Sequence, residues 1–227
     1  MATKNKNPED KKKKTSSFNK VHLINLYMEY VLEHEKMPAS IFKFCKENNL
    51  SEVHFYELCS SFEVLKKDVW NQFFDNTIAL MEKNPEFKTF STRDKLLTFY
   101  YTFFELLTLN RSYVLYALTE HPGILKNLDQ LKGLRRRIKA YSTELILEEN
   151  ETKPVKLLKQ SKTIFSEATW FQFLFLIKFW MDDNSTKFES TDIAIEKSVN
   201  TIFDLFDHTS LESLLDFGKF MWKEKMG

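Results

Sequence analysis

Apolar residues recur every three or four positions along most of this chain, the spacing that places them on one face of an α-helix. Short polar breaks that contain Pro, Asn or Ser divide this pattern into segments. The chain has only 4 Gly and 5 Pro, too few turn residues for a fold built from many short strands. The sequence therefore predicts an all-α protein of about nine or ten helices.

The first part of the pattern predicts a compact group of helices. Their expected bounds are 18–33, 41–47, 52–58 and 62–83. Asn48 and Asn49 suit a tight turn because Asn tolerates the left-handed backbone region, and Ser51 and Ser61 can cap the helices that follow them. Three short helices with a tight turn between the second and the third form a helix-turn-helix unit. We therefore predict a helix-turn-helix head over residues 18–84.

A second helical domain is predicted over 85–227. Bends are expected at 110–112, 121–123 and 182–185, and a polar loop at 149–154. The clearest helices between these breaks are 92–109, 163–181, 191–206 and 211–222. The helix at 163–181 is apolar on all sides and must be covered on both sides. Glu167 and Lys178 interrupt its apolar run, so no transmembrane segment is expected.

Charge and cysteine content narrow the function. The net charge is +1, so binding to nucleic acid would need a local patch of cations. Residues 1–17 contain the run Lys11 to Lys14, lack apolar periodicity, and are predicted to form a disordered basic arm. Cys45 and Cys59 suit neither a disulfide framework nor a metal site. A reduced, cytoplasmic location fits this cysteine usage.

The sequence contains no recognisable catalytic motif. Its five His residues are scattered, and no paired-His motif, nucleophile elbow, phosphate loop or dinucleotide fingerprint occurs. Asp182 and Asp183 fall at a predicted turn, where acidic side chains are usually solvated. We therefore predict a protein that is not an enzyme and that uses no cofactor.

Residues 51–65, SEVHFYELCSSFEVL, resemble the signature of TetR-type transcriptional regulators. In that signature a Ser opens the recognition helix, an aromatic residue lies near its end, and a Ser-x-Glu-x-Leu run begins the connecting helix. The matching residues here are Ser51, Tyr56, Ser61, Glu63 and Leu65. The resemblance implies a TetR-like fold, in which a three-helix head precedes a larger helical domain for ligand binding and dimerisation.

The resemblance also implies that operator DNA is a partner. The expected contacts come from the recognition helix and from basic residues of the head: Lys20, Lys43, Lys46, Ser51, His54 and Tyr56. This chain has Asn49 where the family commonly has Gly, and Glu52 where it commonly has Lys. It also has Cys59 in place of Phe and Phe62 in place of Lys. Because Glu52 and Glu57 would repel phosphates, we expect DNA binding to be weak or unusual.

Two further partners are expected for the second domain. Its aromatic residues predict an apolar pocket for a hydrophobic small molecule or lipid. The predicted pocket residues are Phe99, Tyr100, Phe103, Phe104, Tyr113, Tyr116, Trp170 and Phe173. The helices at 163–181 and 191–206 predict a homodimer interface. The predicted interface residues are Phe171, Leu174, Phe175, Ile177, Ile195, Val199 and Ile202.

A second resemblance leaves an alternative function open. The stretch from Trp170 to Phe206 is similar to lipid-binding ubiquinone-biosynthesis proteins, which share the TetR fold without reading DNA. The leading prediction is a one-component transcriptional regulator whose DNA binding responds to a hydrophobic ligand. The alternative is a lipid- or isoprenoid-binding protein that has lost DNA readout. The acidic recognition helix favours the alternative, and the basic arm favours the regulator.

Overall fold

A computed structural model describes residues 18–152 and 161–208 of the chain. Within these two ranges the backbone forms helices and short turns, with no strand, so the predicted all-α class is confirmed. The predicted basic arm at 1–17 and the predicted helix at 211–222 lie outside the described residues. The chain divides into two compact units between Leu65 and Lys66.

The first unit contains the predicted short helices. They are α1 (Lys20–His34), α2 (Ile41–Glu47), α3 (Glu52–Leu58) and the beginning of α4 (Phe62–Met81). Asn19, Ser40 and Ser51 each accept a hydrogen bond from the backbone N–H three residues later, which satisfies a donor that the helix leaves unpaired. The predicted head, 18–84, includes all of α4, and that boundary stays a prediction.

The second unit contains the rest of α4 and six further helices within the described ranges. These are α5 (Thr92–Leu109), α6 (Arg111–Thr119), α7 (Ile124–Leu128), α8 (Lys132–Thr152), α9 (Lys162–Asp182) and α10 (Glu189–His208). Helix α9 packs against α8 and α10, and α5 packs against the same two helices. Their fully buried side chains follow helical spacing, as at Phe99, Phe103 and Leu107 of α5.

A polar network joins α4 to the segment that follows α6. The Lys66 ammonium lies 2.9 Å from Glu120 Oε1 and 2.7 Å from Oε2, and both side chains are largely buried. Trp70 Nε1 donates to Gln130 Oε1 at 2.8 Å, and Gln130 Nε2 donates to the carbonyl of Ala117 at 2.7 Å. These hydrogen bonds compensate for the removal of the polar groups from water.

The end of α8 differs from the prediction. The sequence predicts a loop over 149–154, but α8 continues to Thr152. Glu149 and Glu151 are good helix formers, and Asn150 lies on the buried side of the helix. A proline disfavours helix at the residue that precedes it, so Pro154 did not require α8 to end at 148. Lys153 and Pro154 lie outside the described residues.

Asp183 was expected to be solvated, and this expectation is wrong. Asp183 directly follows the last residue of α9, and its buried side chain accepts three hydrogen bonds. The donors are the N–H of Ser185 at 2.8 Å, the N–H of Thr191 at 2.9 Å and the Thr191 hydroxyl at 2.6 Å. Burial alone would raise the pKa of Asp183, but the bonds from Thr191 and Ser185 outweigh it and lower the pKa to about 2.

Replacing Asp183 with Asn should therefore destabilise the fold by about 1–3 kcal/mol, because the amide NH₂ group that replaces one carboxylate oxygen cannot accept a hydrogen bond from the donors that face it. A depressed folded pKa contributes stability that is present above the unfolded pKa, near 4, and is lost as pH falls towards 2. The wild type should gain stability relative to Asp183→Asn as pH rises through this window, in denaturant titrations at each pH. Asp182→Asn, at the exposed neighbour, is the control and should show little change. If the free energies of unfolding of the wild type and Asp183→Asn changed equally with pH, the lowered pKa of Asp183 would be contradicted.

Candidate functional site

The link between α2 and α3 is a tight turn, as predicted. Asn49 adopts the left-handed backbone region, with φ of 55°. The N–H of Leu50 donates to the carbonyl of Cys45 at 2.8 Å, and Asn48 Nδ2 donates to the carbonyl of Phe44 at 2.8 Å. Both bonds satisfy carbonyl groups at the end of α2, and they fix the direction in which the chain enters α3.

Three phenylalanine rings form the core of the first unit. Phe44 of α2 and Phe55 of α3 are fully buried, and each ring centroid lies 5.5 Å from that of Phe62 at the start of α4. Tyr27 of α1 stacks on Phe62 at 5.8 Å. Because large rings meet edge to face at these positions, α3 is held by one face and its opposite face is open to solvent.

The open face carries the residues predicted to contact DNA. Ser51, His54 and Tyr56 are all exposed, and the Ser51 hydroxyl accepts the N–H of His54 at 3.2 Å. Lys20, Lys43 and Lys46 are exposed as well. Val53 and Phe42 were not predicted as site residues, but their side chains are 67% and 59% exposed. Their positions could have been identified from the sequence, because both fall outside the helical spacing of the buried apolar residues of α2 and α3.

The described part of the first unit, residues 18–65, has a charge opposite to that expected of a DNA reader. Residues 18–65 contain four Lys and seven Glu, a net charge of −3 with His neutral. Residues 1–17 contain six Lys and two acidic residues, a net charge of +4. Glu52 also lies near the Cys45 thiol, whose pKa is raised by burial and by that carboxylate. The cations that could neutralise phosphates are therefore concentrated in the residues before α1.

Six of the eight predicted pocket residues, those on α5 and α9, pack ring against ring in the second unit. Phe99, Tyr100, Phe103 and Phe173 are fully buried, whereas Tyr116 is half-buried. The ring centroids of Phe103 and Phe173 lie 5.5 Å apart. The Tyr100 hydroxyl donates to the carbonyl of Thr169 at 2.9 Å, and burial raises the pKa of Tyr100 well above its ordinary value. The remaining three residues, all buried, are Phe104, Tyr113 and Trp170.

A cavity of about 270 Å³ borders this aromatic cluster at Phe104. It is lined by Tyr101, Phe104, Glu105, Thr108, Trp180, Lys187, Phe188, Thr191 and Asp192. The Arg111 guanidinium lies 4.4 Å from the ring centroid of Trp180 and 4.6 Å from that of Phe188, and it donates to the Trp180 carbonyl at 3.0 Å. Trp180 and Phe188 were not predicted as pocket residues. Trp180 lies on α9, whose all-apolar pattern does not indicate which side faces a cavity, and Phe188 lies in the short segment after α9.

A larger groove of about 650 Å³ lies between α9 and α10. It is lined by Gln172, Phe175, Phe179, Ser190, Ile193, Ala194, Lys197, Ser198, Thr201 and Ile202. Phe175 and Ile193 are about half exposed, at 53% and 51%, although both are large apolar side chains. A contiguous exposed apolar surface of this kind is typical of an interaction site.

The predicted interface residues fall into three groups. Phe171 and Phe175 are exposed, and Leu174 and Ile202 are half-buried. Ile177, Ile195 and Val199 lie within the core of the second unit. Helices α9 and α10 use one face to pack together and leave the other open, and the sequence did not reveal which apolar residues belong to which face.

The described residues contain no group of three or more His, Cys, Asp and Glu that could hold a metal ion. Cys45 and Cys59 are both buried and not paired in a disulfide. Among the described helices, none combines the length and the apolarity that crossing a bilayer requires.

Residues 95–221 match the family model described as "Tetracyclin repressor-like, C-terminal domain". The match begins in α5 and contains the aromatic cluster, the cavity and the groove. No curated protein and no solved structure matches the chain. Because the matched region covers more than half of the sequence, the protein belongs to the TetR family of regulators.

Proposed function

We propose that this protein is a DNA-binding transcriptional regulator that acts as a homodimer and responds to a hydrophobic small molecule. The observation that carries the proposal is the match to a TetR-type ligand-binding domain in a chain whose α2–turn–α3 segment exposes Ser51, His54 and Tyr56. In helix-turn-helix proteins the second helix of this unit enters the major groove. The exposed face of α3 is the surface available for that contact.

In this proposal, α3 reads the operator and the surrounding lysines bind phosphates. Tyr56 offers a hydroxyl to the backbone, and His54 offers a ring nitrogen to a base edge. Glu52 and Glu57 oppose the approach of phosphates, so the affinity must come from Lys20, Lys43, Lys46 and the basic residues that precede α1. Binding should consequently be strongly salt-dependent.

The test is a titration of the full chain against the DNA upstream of its own gene, at several salt concentrations. Changing Glu52 to Lys should strengthen binding and steepen the salt dependence by roughly one phosphate contact, because a repelling charge becomes an attracting one. Glu33→Lys makes the same change in net charge on α1 and serves as the control; its effect should be smaller. Changing His54 to Ala should alter sequence preference, whereas Tyr56→Phe should weaken binding to all sequences alike.

If the wild type shows no selective binding at low salt, the regulator proposal fails. A titration of the protein with extracted lipid in place of DNA then tests the lipid-binding alternative. The net charge of −3 on residues 18–65 favours that alternative.

We propose the aromatic cluster of α5 and α9 as the ligand site, with the cavity beside Phe104 as its opening. Aromatic walls and a small number of polar groups are typical of small-molecule sites. A hydrophobic compound present at a hundredfold its dissociation constant should raise the free energy of unfolding by about 2.7 kcal/mol. Thermal or denaturant unfolding measures this shift. Thr108→Trp, which places a large ring in the cavity, should reduce or abolish this shift, and a shift that Thr108→Trp leaves intact would place the ligand elsewhere.

We propose the groove between α9 and α10 as the surface that binds a second copy of the chain. Phe171, Phe175 and Ile193 would then be covered by the same residues of the partner subunit, because a two-fold interface uses one surface twice. Dimerisation presents two recognition helices to two half-sites, and a ligand that alters their separation alters DNA affinity.

A further inference from the structure

Two carboxylates line the cavity beside Phe104, and they come from two helices that pack together. Glu105 lies on α5 and Asp192 on α10, and both side chains are exposed, so a molecule in the cavity can reach them. Neither carboxylate forms an ion pair with any residue in 18–152 or 161–208. The cavity therefore offers two charged acceptors that these parts of the chain do not use.

The electrostatic surroundings of Asp192 are negative. Burial raises the pKa of the Asp192 carboxyl, and three nearby carboxylates raise it further, those of Asp183, Glu189 and Glu105. Lys187 also lines the cavity. One positive charge against two negative charges leaves the lining residues with a net charge of −1. A cleft lined by an excess of one charge attracts ions of the opposite sign, so this cavity favours cations.

Aromatic rings form part of the same lining. Tyr101 is 37% exposed and Phe188 is half-buried, so both rings retain accessible surface. The face of an aromatic ring attracts a cation, and the Arg111 guanidinium already lies 4.6 Å from the ring centroid of Phe188. Arg111 is not among the lining residues, and it donates to the carbonyls of Trp180 and Met181. The cavity thus combines carboxylates with ring surface.

The segment that carries Lys187 and Phe188 has a backbone conformation that few side chains adopt. The φ angle is 54° at Lys187 and 62° at Phe188, and a positive φ is an outlier for a bulky residue. Strained residues of this kind persist where the surroundings hold them, and they cluster at ligand sites. Asp183 holds this segment at both ends, because it accepts the N–H groups of Ser185 and Thr191. This wall of the cavity is therefore fixed before any ligand binds.

We propose that the cavity beside Phe104 binds a small organic cation, an alkylated ammonium group attached to an apolar body. The ammonium group lies between Glu105 and Asp192, and the rings of Tyr101 and Phe188 cover it. The inference rests on the ligand site of the proposed function and adds the charge of the ligand. A neutral or anionic molecule would leave both carboxylates without a partner. The volume of about 270 Å³ lies near the lower end of small-molecule sites, so the ligand is small.

Calorimetric titration of the full chain with three probes tests the charge of the ligand. Benzyltrimethylammonium is the cation, 2-methyl-1-phenylpropan-2-ol is a neutral molecule of similar shape, and phenylacetate is the anion. The cation should bind at least about tenfold more tightly than either of the others, because only it gains from both the carboxylates and the rings.

Two outcomes of this titration would overturn the inference. If the neutral probe bound as tightly as the cation, the charge preference would be wrong while the ligand site of the proposed function would stand. If none of the three probes bound, the cavity would not be a cation site. The unfolding shift with other hydrophobic compounds, and its response to Thr108→Trp, would still test the proposed ligand site separately.

Variants of the lining residues locate the bound cation. Asp192→Asn and Glu105→Gln should each weaken binding of benzyltrimethylammonium about threefold to fivefold and leave binding of the neutral probe unchanged. Glu144→Gln, at an exposed carboxylate of α8 that does not line the cavity, is the control and should have no effect. Lys187→Gln should tighten binding of the cation about threefold, a gain that a folding defect would not produce. Wild-type affinity in all three lining variants would place the cation elsewhere and overturn the inference.

Discussion

Deletion of residues 1–17 should lower DNA affinity by roughly a hundredfold at low salt and flatten the salt dependence, because in the proposed function the lysines of this region would supply most of the binding free energy by neutralising phosphates. The deletion removes six Lys and two acidic residues and leaves a head whose remaining charge is −3. Exposed Lys20, Lys43 and Lys46 would then act against seven Glu. The measurement is the slope of the logarithm of the binding constant against that of the salt concentration, for the full and the truncated chain.

A charge-matched comparison separates this role from a general effect of net charge. Changing Lys11 to Lys14 to Gln removes four positive charges before α1. Changing four exposed lysines of the second unit to Gln removes the same charge elsewhere; these are Lys126, Lys132, Lys162 and Lys187. Only the first set should reduce affinity strongly. If the truncated chain bound DNA with an affinity within about threefold of that of the full chain, α3 and the neighbouring helices would be sufficient for DNA binding.

Changing Glu120 to Ala should destabilise the fold by about 3–5 kcal/mol, since it removes a carboxylate that pairs with the buried Lys66 ammonium. That loss is a large fraction of the total stability of a typical domain. The double variant Lys66→Met with Glu120→Leu should be close to the wild type, because an apolar pair of similar volume avoids the burial of a charge. Denaturant unfolding monitored by circular dichroism measures the free energy of unfolding of the wild type, the single variant and the double variant.

The control for this experiment is an exposed ion pair of the same unit. Lys95 and Glu148 lie 2.6 Å apart, but the Glu148 side chain is 60% exposed. Glu148→Ala should therefore cost less than about 1 kcal/mol. If Glu120→Ala lowered the free energy of unfolding by no more than Glu148→Ala, the Lys66–Glu120 pair would stabilise the fold no more than an exposed ion pair does.

The helices of the head were predictable because each carries a local signal. Ser40 and Ser51 cap the helices that follow them, and Asn49 adopts the left-handed conformation that the turn requires. The buried set of α5 was also predictable, since Phe99, Phe103 and Leu107 follow a 3.6-residue period. These features depend on neighbours within a few residues along the chain.

Other features depend on distant residues and carry no local signal. Helix α9 is apolar on every side, so its sequence could not indicate that Ile177 faces the core while Phe171 faces solvent. Asp183 looks like a solvated turn residue until Thr191, eight positions later, is placed against it. The carboxylates of Glu105 and Asp192 likewise line one cavity only because α10 packs against α5.

The Arg111 guanidinium lies over the rings of Trp180 and Phe188, and Trp180 places an indole at the wall of the cavity beside Phe104. Indole emission shifts with the polarity of its surroundings and is quenched by nearby aromatic ligands. The fluorescence of Trp180 should therefore change when a ligand enters the cavity. The other three tryptophans of the chain are Trp70, Trp170 and Trp222. With these three changed to Phe, the fluorescence of Trp180 would report occupancy of the cavity in real time, without a label and in the presence of DNA.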